Sequence, residues 1–169
     1  MLGQSISDPT GAEQKGTVRG MGLLPVTTVF EQEKRRTRVS GRFAKVGGAL
    51  AEMSGVCYEG YEIHMGETTL TKEAQSLFHI TQRSEAPVDL MDGFINEKHN
   101  VFGTYCHGIF DNDEIRRAVI NALRRRKGLE DLPIQFRYRK YKESEFDRLA
   151  NTVRKNFDMD AFYKILENE

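Results

Sequence analysis

The sequence predicts an α/β domain that ends in helices. Three observations predict it. Short runs of strand composition, several with two-residue alternation, recur between Gly20 and Tyr105. The stretch Asn100–Lys127 (N-V-F-G-T-Y-C-H-G-I-F-D-N-D-E-I-R-R-A-V-I-N-A-L-R-R-R-K) passes from a strand run to helical spacing across His107-Gly108. Helical stripes return near the end: Phe146, Leu149, Ala150 and Val153, then Phe162, Ile165 and Leu166. A strand, a glycine turn and a capped helix in succession display one reactive side chain, His107, at the end of a sheet.

Composition bounds the function classes. A length of 169 residues suits one domain. With 38% apolar and 30% charged residues the chain lacks the profile of a disordered protein. The 25 basic and 25 acidic residues cancel, which excludes a global field that recruits nucleic acid or anionic membrane. No apolar run approaches the ~20 residues that span a bilayer, and the N-terminus has no secretory pattern. Two cysteines without paired spacing exclude a disulfide scaffold or a zinc ribbon. The cytoplasm is the expected compartment.

In chain order, Met1–Arg19 is rich in Gly, Ser and Asp and reads as a loop with a turn at Asp8-Pro9. Gly20–Phe30 leads into a strand at Val26–Phe30. Glu31–Arg36 reads as the charged tip of a hairpin whose return strand is Thr37–Ala44. Gly47-Gly48 is no phosphate loop, because the G-x-x-x-x-G-K-[ST] frame is absent. Val56–Met65 is a strand with Tyr61, Ile63 and Met65 on one face and Glu62 and His64 on the other, more polar face. That pair is open to two readings, an exposed pair on an edge strand or a pair lining a site. Thr68–Ala74 reads as a loop and Ser76–Gln82 as a strand in which His79 is structural. Pro87 and Asp89 mark a turn. Asp92–Glu97 and Asn100–Tyr105 form a hairpin with His99 exposed at its tip. A helix starts at Asp111, capped with Glu114, buries Ile115, Val119 and Leu123 beside Ala118 and Ala122, and stops at Gly128. Leu132–Tyr141 links it to the terminal helices, a pair suited to packing on this domain or docking elsewhere.

The chemistry centres on His107. Cys106 is its neighbour, but adjacent residues of an extended chain point to opposite faces, so the two cannot share a proton. Cys106 is expected to be buried. His107 at a Gly turn suits a general base acting on a nucleophile from another segment. Cys57 could meet it only through tertiary contact. The scattered histidines and cysteines have no metal-ligand spacing, so no metal site is expected.

Three motifs in order, G-M-G-L-L-P-V-T-T-V-F (Gly20–Phe30), G-Y-E-I-H-M-G (Gly60–Gly66) and N-V-F-G-T-Y-C-H-G-I-F-D-N (Asn100–Asn112), closely resemble the glutamine amidotransferase domain of the cobyric acid synthase family. The resemblance covers about residues 1–130 and leaves 131–169 as a C-terminal helical extension packed on that domain. It implies a flavodoxin-like class I amidotransferase fold, a mostly parallel sheet flanked by helices, with the active site at strand ends. It implies that His107 is the catalytic base that activates a cysteine for attack on the amide of glutamine. Ammonia would then pass to an ATP-activated carboxylate of a corrinoid in cobalamin biosynthesis. Many class I amidotransferases have a glutamate two residues after this histidine; here that position is Ile109, a departure shared by the cobyric acid synthase branch. Glu62 and His64 match the E-I-H motif and, with Tyr105, are expected to line the site.

Met1-Leu2-Gly3 resembles the tail of the family's nucleophile motif C-G-G-x-Q-M-L-G. The resemblance therefore implies a C-terminal part whose cysteine lies just before Met1 and whose ATP and Mg²⁺ belong to an N-terminal domain outside this chain. The isolated chain is then expected to be inactive. Two other readings stay open. One is a non-catalytic domain that self-associates through an unpaired sheet edge. The other is a related amidotransferase acting on cobyrinic acid or a cell-wall lipid precursor.

Overall fold

A computed structural model describes residues 1–72 and 74–167. The chain divides into two units, Met1–Pro133 and Ile134–Glu169. Among its described residues the first contains eight strands in one sheet: β1 (Ser5–Asp8), β2 (Gly16–Arg19), β3 (Val26–Phe43), β4 (Cys57–Leu70), β5 (Gln75–Arg83), β6 (Ala86–Ile95), β7 (Phe102–Gly103) and β8 (Cys106–His107). The sheet runs β2-β1-β3-β5-β6-β7, and β4 pairs with both β3 and β8. Only β1–β3 is parallel among these pairs, so this part of the domain is mostly antiparallel rather than mostly parallel. The reason is local: β5 and β6 are joined by a tight turn that forces antiparallel pairing.

The N-terminal stretch is a hairpin, not a loop. Asp8 closes it. Its Oδ1 accepts the N–H groups of Gly11 and Ala12, and its Oδ2 those of Glu13 and Gln14, at 2.8–2.9 Å. These donors, Glu13 foremost, hold its carboxyl below the ordinary carboxylate range. One carboxylate thus replaces the ladder that the Asp8-Pro9 turn interrupts.

β3 is the largest departure from expectation. Glu31–Arg36 is exposed throughout but is no hairpin tip; it lies inside an 18-residue strand. E-Q-E-K-R-R has no Gly, Pro, Asn or Asp to make a reversal, so the chain stays extended. Its partner is β4, with an irregularity between Phe30 and Arg35. Strand β4 correspondingly runs on to Leu70, through part of the expected loop. The expected turn at Pro87 and Asp89 falls inside β6. The reversal occurs earlier, where Ser84 has φ 53° and Arg83 pairs with Ala86, and Pro87 is tolerated near the strand's start.

The core lies between the sheet and α1 (Asp113–Arg126). Phe43, Tyr58 and Phe78 form its aromatic centre, with ring centroids 4.5–6.2 Å apart. Leu77, Ile80, Ile95, Cys106, Ile109 and Ile115 pack around them. The N-cap of α1 is Asn112, not Asp111: its Oδ1 accepts from Glu114 N–H (2.9 Å) and Ile115 N–H (3.0 Å). Asp111 instead ends a short 3₁₀ turn, Ile109–Asp111. Ile115 and Ala122 face inward with Ala118 and Val119 beside them, whereas Leu123 is exposed. Gly128 ends the helix at φ 69° as expected.

The second unit consists of α2 (Tyr138–Asn156) and α3 (Met159–Glu167). α2 begins within the expected linker. Phe146, Leu149 and Val153 of α2 and Ile165 and Leu166 of α3 are exposed. No helix among the described residues is long and apolar enough to cross a membrane.

Candidate active site

Strands β4 and β8 build the site. They pair antiparallel with Tyr61 opposite His107 and Glu62 opposite Cys106. Directly opposed residues share a face, so His107 and Tyr61 stand on one side and Cys106 and Glu62 on the other. The expected separation of Cys106 from His107 is therefore what the structure has.

The glycines of G-Y-E-I-H-M-G explain why β8 lies so close. A Cβ on Gly60 would fall 2.4 Å from the His107 carbonyl oxygen and 2.5 Å from Cys106 Sγ. A Cβ on Gly66 would fall 2.6 Å from Thr28 Cγ2 and 3.1 Å from the Tyr105 hydroxyl. The second and third motifs are thus two sides of one packed seam. Thr104 makes the seam possible by ending β7. Its hydroxyl donates to Asp92 (2.8 Å) and accepts the Cys106 N–H (2.9 Å), and the chain changes partner from β6 to β4.

On the outer face His107 is exposed. Its imidazole stacks on Tyr61 with centroids 5.0 Å apart and planes 7° from parallel. Gly108 follows at φ 79°, a left-handed conformation that glycine adopts without strain, and the Asp111 N–H closes the turn onto its carbonyl at 2.9 Å.

The inner face is different. Glu62 is only 1% exposed and pairs with Arg83 at 3.0 Å. Of the two readings left open for Glu62 and His64, the exposed pair is not what the structure has: Tyr61 and Ile63 are the exposed residues, and Glu62 and His64 line a groove. Arg83 brings a compensating charge beside the carboxylate and donates to its Oε1 at 3.3 Å, while Glu62 Oε2 and Arg83 Nε have no hydrogen-bond partner among the described residues. His64 Nδ1 lies 2.8 Å from the Gly66 carbonyl, which can only accept, so Nδ1 carries the proton. Its Nε2 has no hydrogen-bond partner among the described residues. The Tyr105 ring stacks on His64 at 3.9 Å, and its hydroxyl bonds to Thr68 at 2.6 Å. Glu62, His64, Arg83 and Tyr105 line a groove of about 1010 Å³, walled by Glu31–Thr37 of β3 and by Leu90–Asp92 of β6.

The structure therefore brings Glu62, His64 and Tyr105 together and sets Glu62 on the face opposite His107. Neither thiol of the chain fits His107. Cys106 is buried, and burial pushes it up to about 12. Cys57 is exposed, but four residues along β4 from Tyr61 it lies about 13 Å away. Among the described residues no three His, Cys, Asp or Glu side chains are grouped to hold a metal ion. The residues missed in the sequence were Tyr61, Gly60 and Arg83. The first two stood in plain view within the second motif; Arg83, 21 residues from Glu62, has no local signal.

The structure is thus a mixed α/β unit that presents an exposed histidine at a strand-to-turn junction, on a seam of two glycine-bearing motifs. Residues 1–115 match the family model of the CobB/CobQ-like glutamine amidotransferase domain, and the chain belongs to that family. Membership agrees with the expected flavodoxin-like class I fold. The chain is 44% identical over 169 residues to a cobyric acid synthase of Ruminiclostridium cellulolyticum, covering 99% of this chain and 32% of that protein. It is 42% identical over 168 residues to a cobyric acid synthase of Citrobacter koseri, covering 99% and 32%. A cobyric acid synthase of Thermoanaerobacter sp. is 39% identical over 169 residues, with 99% and 33% covered. The chain spans about a third of the length of the curated relatives it matches.

Proposed function

We propose that this chain supplies the general base of a glutamine-hydrolysing amidotransferase that serves corrinoid amidation in cobalamin biosynthesis, as in a cobyric acid synthase. The observation that carries the reading is His107, exposed on a glycine turn with neither of the chain's own thiols in reach. In this reading a thiol from outside these 169 residues attacks the side-chain amide carbon of glutamine. His107 takes the thiol proton and returns it to the departing ammonia. Water, deprotonated by the same imidazole, then releases glutamate from the thioester. Glu62, His64 and Tyr105 take a substrate-facing role in their groove. We assign ATP and Mg²⁺ to the part of the relatives that this chain does not cover, and no step here runs through them.

Ammonia release from glutamine is the test. The 169-residue chain alone is expected to release none above background. A form of the protein that includes the thiol is expected to lose roughly 10²- to 10⁴-fold of its rate on His107→Ala. Robust release by the 169-residue chain that His107→Ala abolishes would place the thiol within it and overturn the reading.

One observation favours a second reading, self-association. β2 ends the sheet with all four of its residues exposed, and its outer edge offers backbone groups for pairing. Sedimentation across the micromolar range would show a strict monomer if that reading is wrong.

A further inference from the structure

We propose that Tyr61 is a positioning residue for His107, holding the imidazole plane so that its nitrogen edges face outward. The proposal rests on His107 being the base, as argued above.

An imidazole on an exposed strand end turns freely about its side-chain bonds unless something holds it. Holding is usually done by a hydrogen bond to one ring nitrogen. Among the described residues none reaches the His107 ring, and the position two residues on is Ile109, a buried apolar side chain that cannot supply one. What the ring does meet is Tyr61, directly across the β4–β8 pair, at 5.0 Å and 7°. A stacked neighbour covers a face of the imidazole and leaves both in-plane nitrogens free, as a base facing a thiol requires.

Tyr61 has no competing structural duty. It is 46% exposed and lies outside the core cluster. Its ring also reaches the turn, since Cε1 lies 3.9 Å from where a Cβ on Gly108 would stand. Gly60, beside it, allows β8 the close approach that sets the two rings face to face. An aromatic at an exposed position, pressed on an imidazole and a turn glycine, is explained by what it does to the imidazole.

The experiment has two parts. In the 169-residue chain, NMR of the His107 ring is expected to show nuclear Overhauser contacts to Tyr61 and an upfield ring-current shift. Both should persist in Tyr61→Phe, which keeps an aromatic ring at the position, and vanish in Tyr61→Leu. In a glutaminase-competent form of the protein, Tyr61→Leu should lower kcat on the order of tenfold to a hundredfold with KM for glutamine unchanged, and Tyr61→Phe should restore it. Absent contacts in the unmodified chain, a shift that survives Tyr61→Leu, or a lost stack with unchanged kcat would each overturn the proposal. Undiminished glutamine hydrolysis by His107→Ala would instead remove the base itself, and the positioning role with it.

Discussion

The two faces of strand β4 carry the same kinds of side chain under opposite conditions. On each, a tyrosine stacks on a histidine: Tyr61 on His107 outside, Tyr105 on His64 inside. The outer pair is in water, with no hydrogen bond to its imidazole among the described residues, so its histidine is free to exchange a proton with a visiting group. The inner pair is tied down. His64 donates to a backbone carbonyl, Tyr105 bonds to Thr68, and Glu62 sits beside them against Arg83. The difference teaches that the same pair of residue types is held in two ways: outside by the stack alone, inside by the stack together with hydrogen bonds to the strand.

Variants that attack one face at a time sharpen this contrast. The largest stability effect belongs to the inner face. Arg83→Met leaves the Glu62 carboxylate buried without its cation and should cost about 3–5 kcal/mol in denaturant unfolding. A cost below about 1 kcal/mol would mean that Glu62 is not held inside. Gly60→Ala comes next, because its Cβ would strike the backbone and thiol of β8. About 1–3 kcal/mol is expected, with the His107 and Cys106 amides losing hydrogen-exchange protection together. Tyr61→Leu should cost only about 0.5–1.5 kcal/mol, the worth of an aromatic pair, so its effect on activity separates from its effect on folding.

The thiols give the mildest test. Near neutral pH an alkylating reagent should modify exposed Cys57 and spare Cys106 in the folded chain. Burial raises Cys106 from 9.0 to about 12 and pushes the Tyr58 phenol up as well. Well below pH 9 both groups are neutral folded or unfolded, and their contribution is fully present. As pH rises toward 12 the unfolded thiol ionises first, so stability falls. Cys106→Ala should flatten that alkaline decline in thermal melts; an unchanged slope would show that Cys106 is not the group responsible.

Much of this framework is legible residue by residue. Gly128 stops α1 because only a residue at ease with positive φ ends a helix that way, and the stretch around Ile115 spaces its apolar residues for one buried face. Strand propensity marked the centres of β4 and β5. The boundaries failed where two residues offered the same service: Asn112 caps the helix as well as Asp111 could, and Pro87 signals a turn yet also suits the opening of a strand. Glu31–Arg36 failed for another reason. Six charged or polar residues look like a loop, but β4 pairs with the chain at Phe30 and again from Arg35 on, and carries the strand through.

The sequence by itself determined that Cys106 and His107 diverge, since side chains on extended backbone alternate whatever surrounds them. It also determined which residues share a face of β4. Only the tertiary structure decided which face is inside. A period of two marks two faces without ranking them. The ranking came from Arg83 on β5, whose charge makes the Glu62 side habitable, and from β8, whose approach over Gly60 sets His107 against Tyr61 on the side that remains in water.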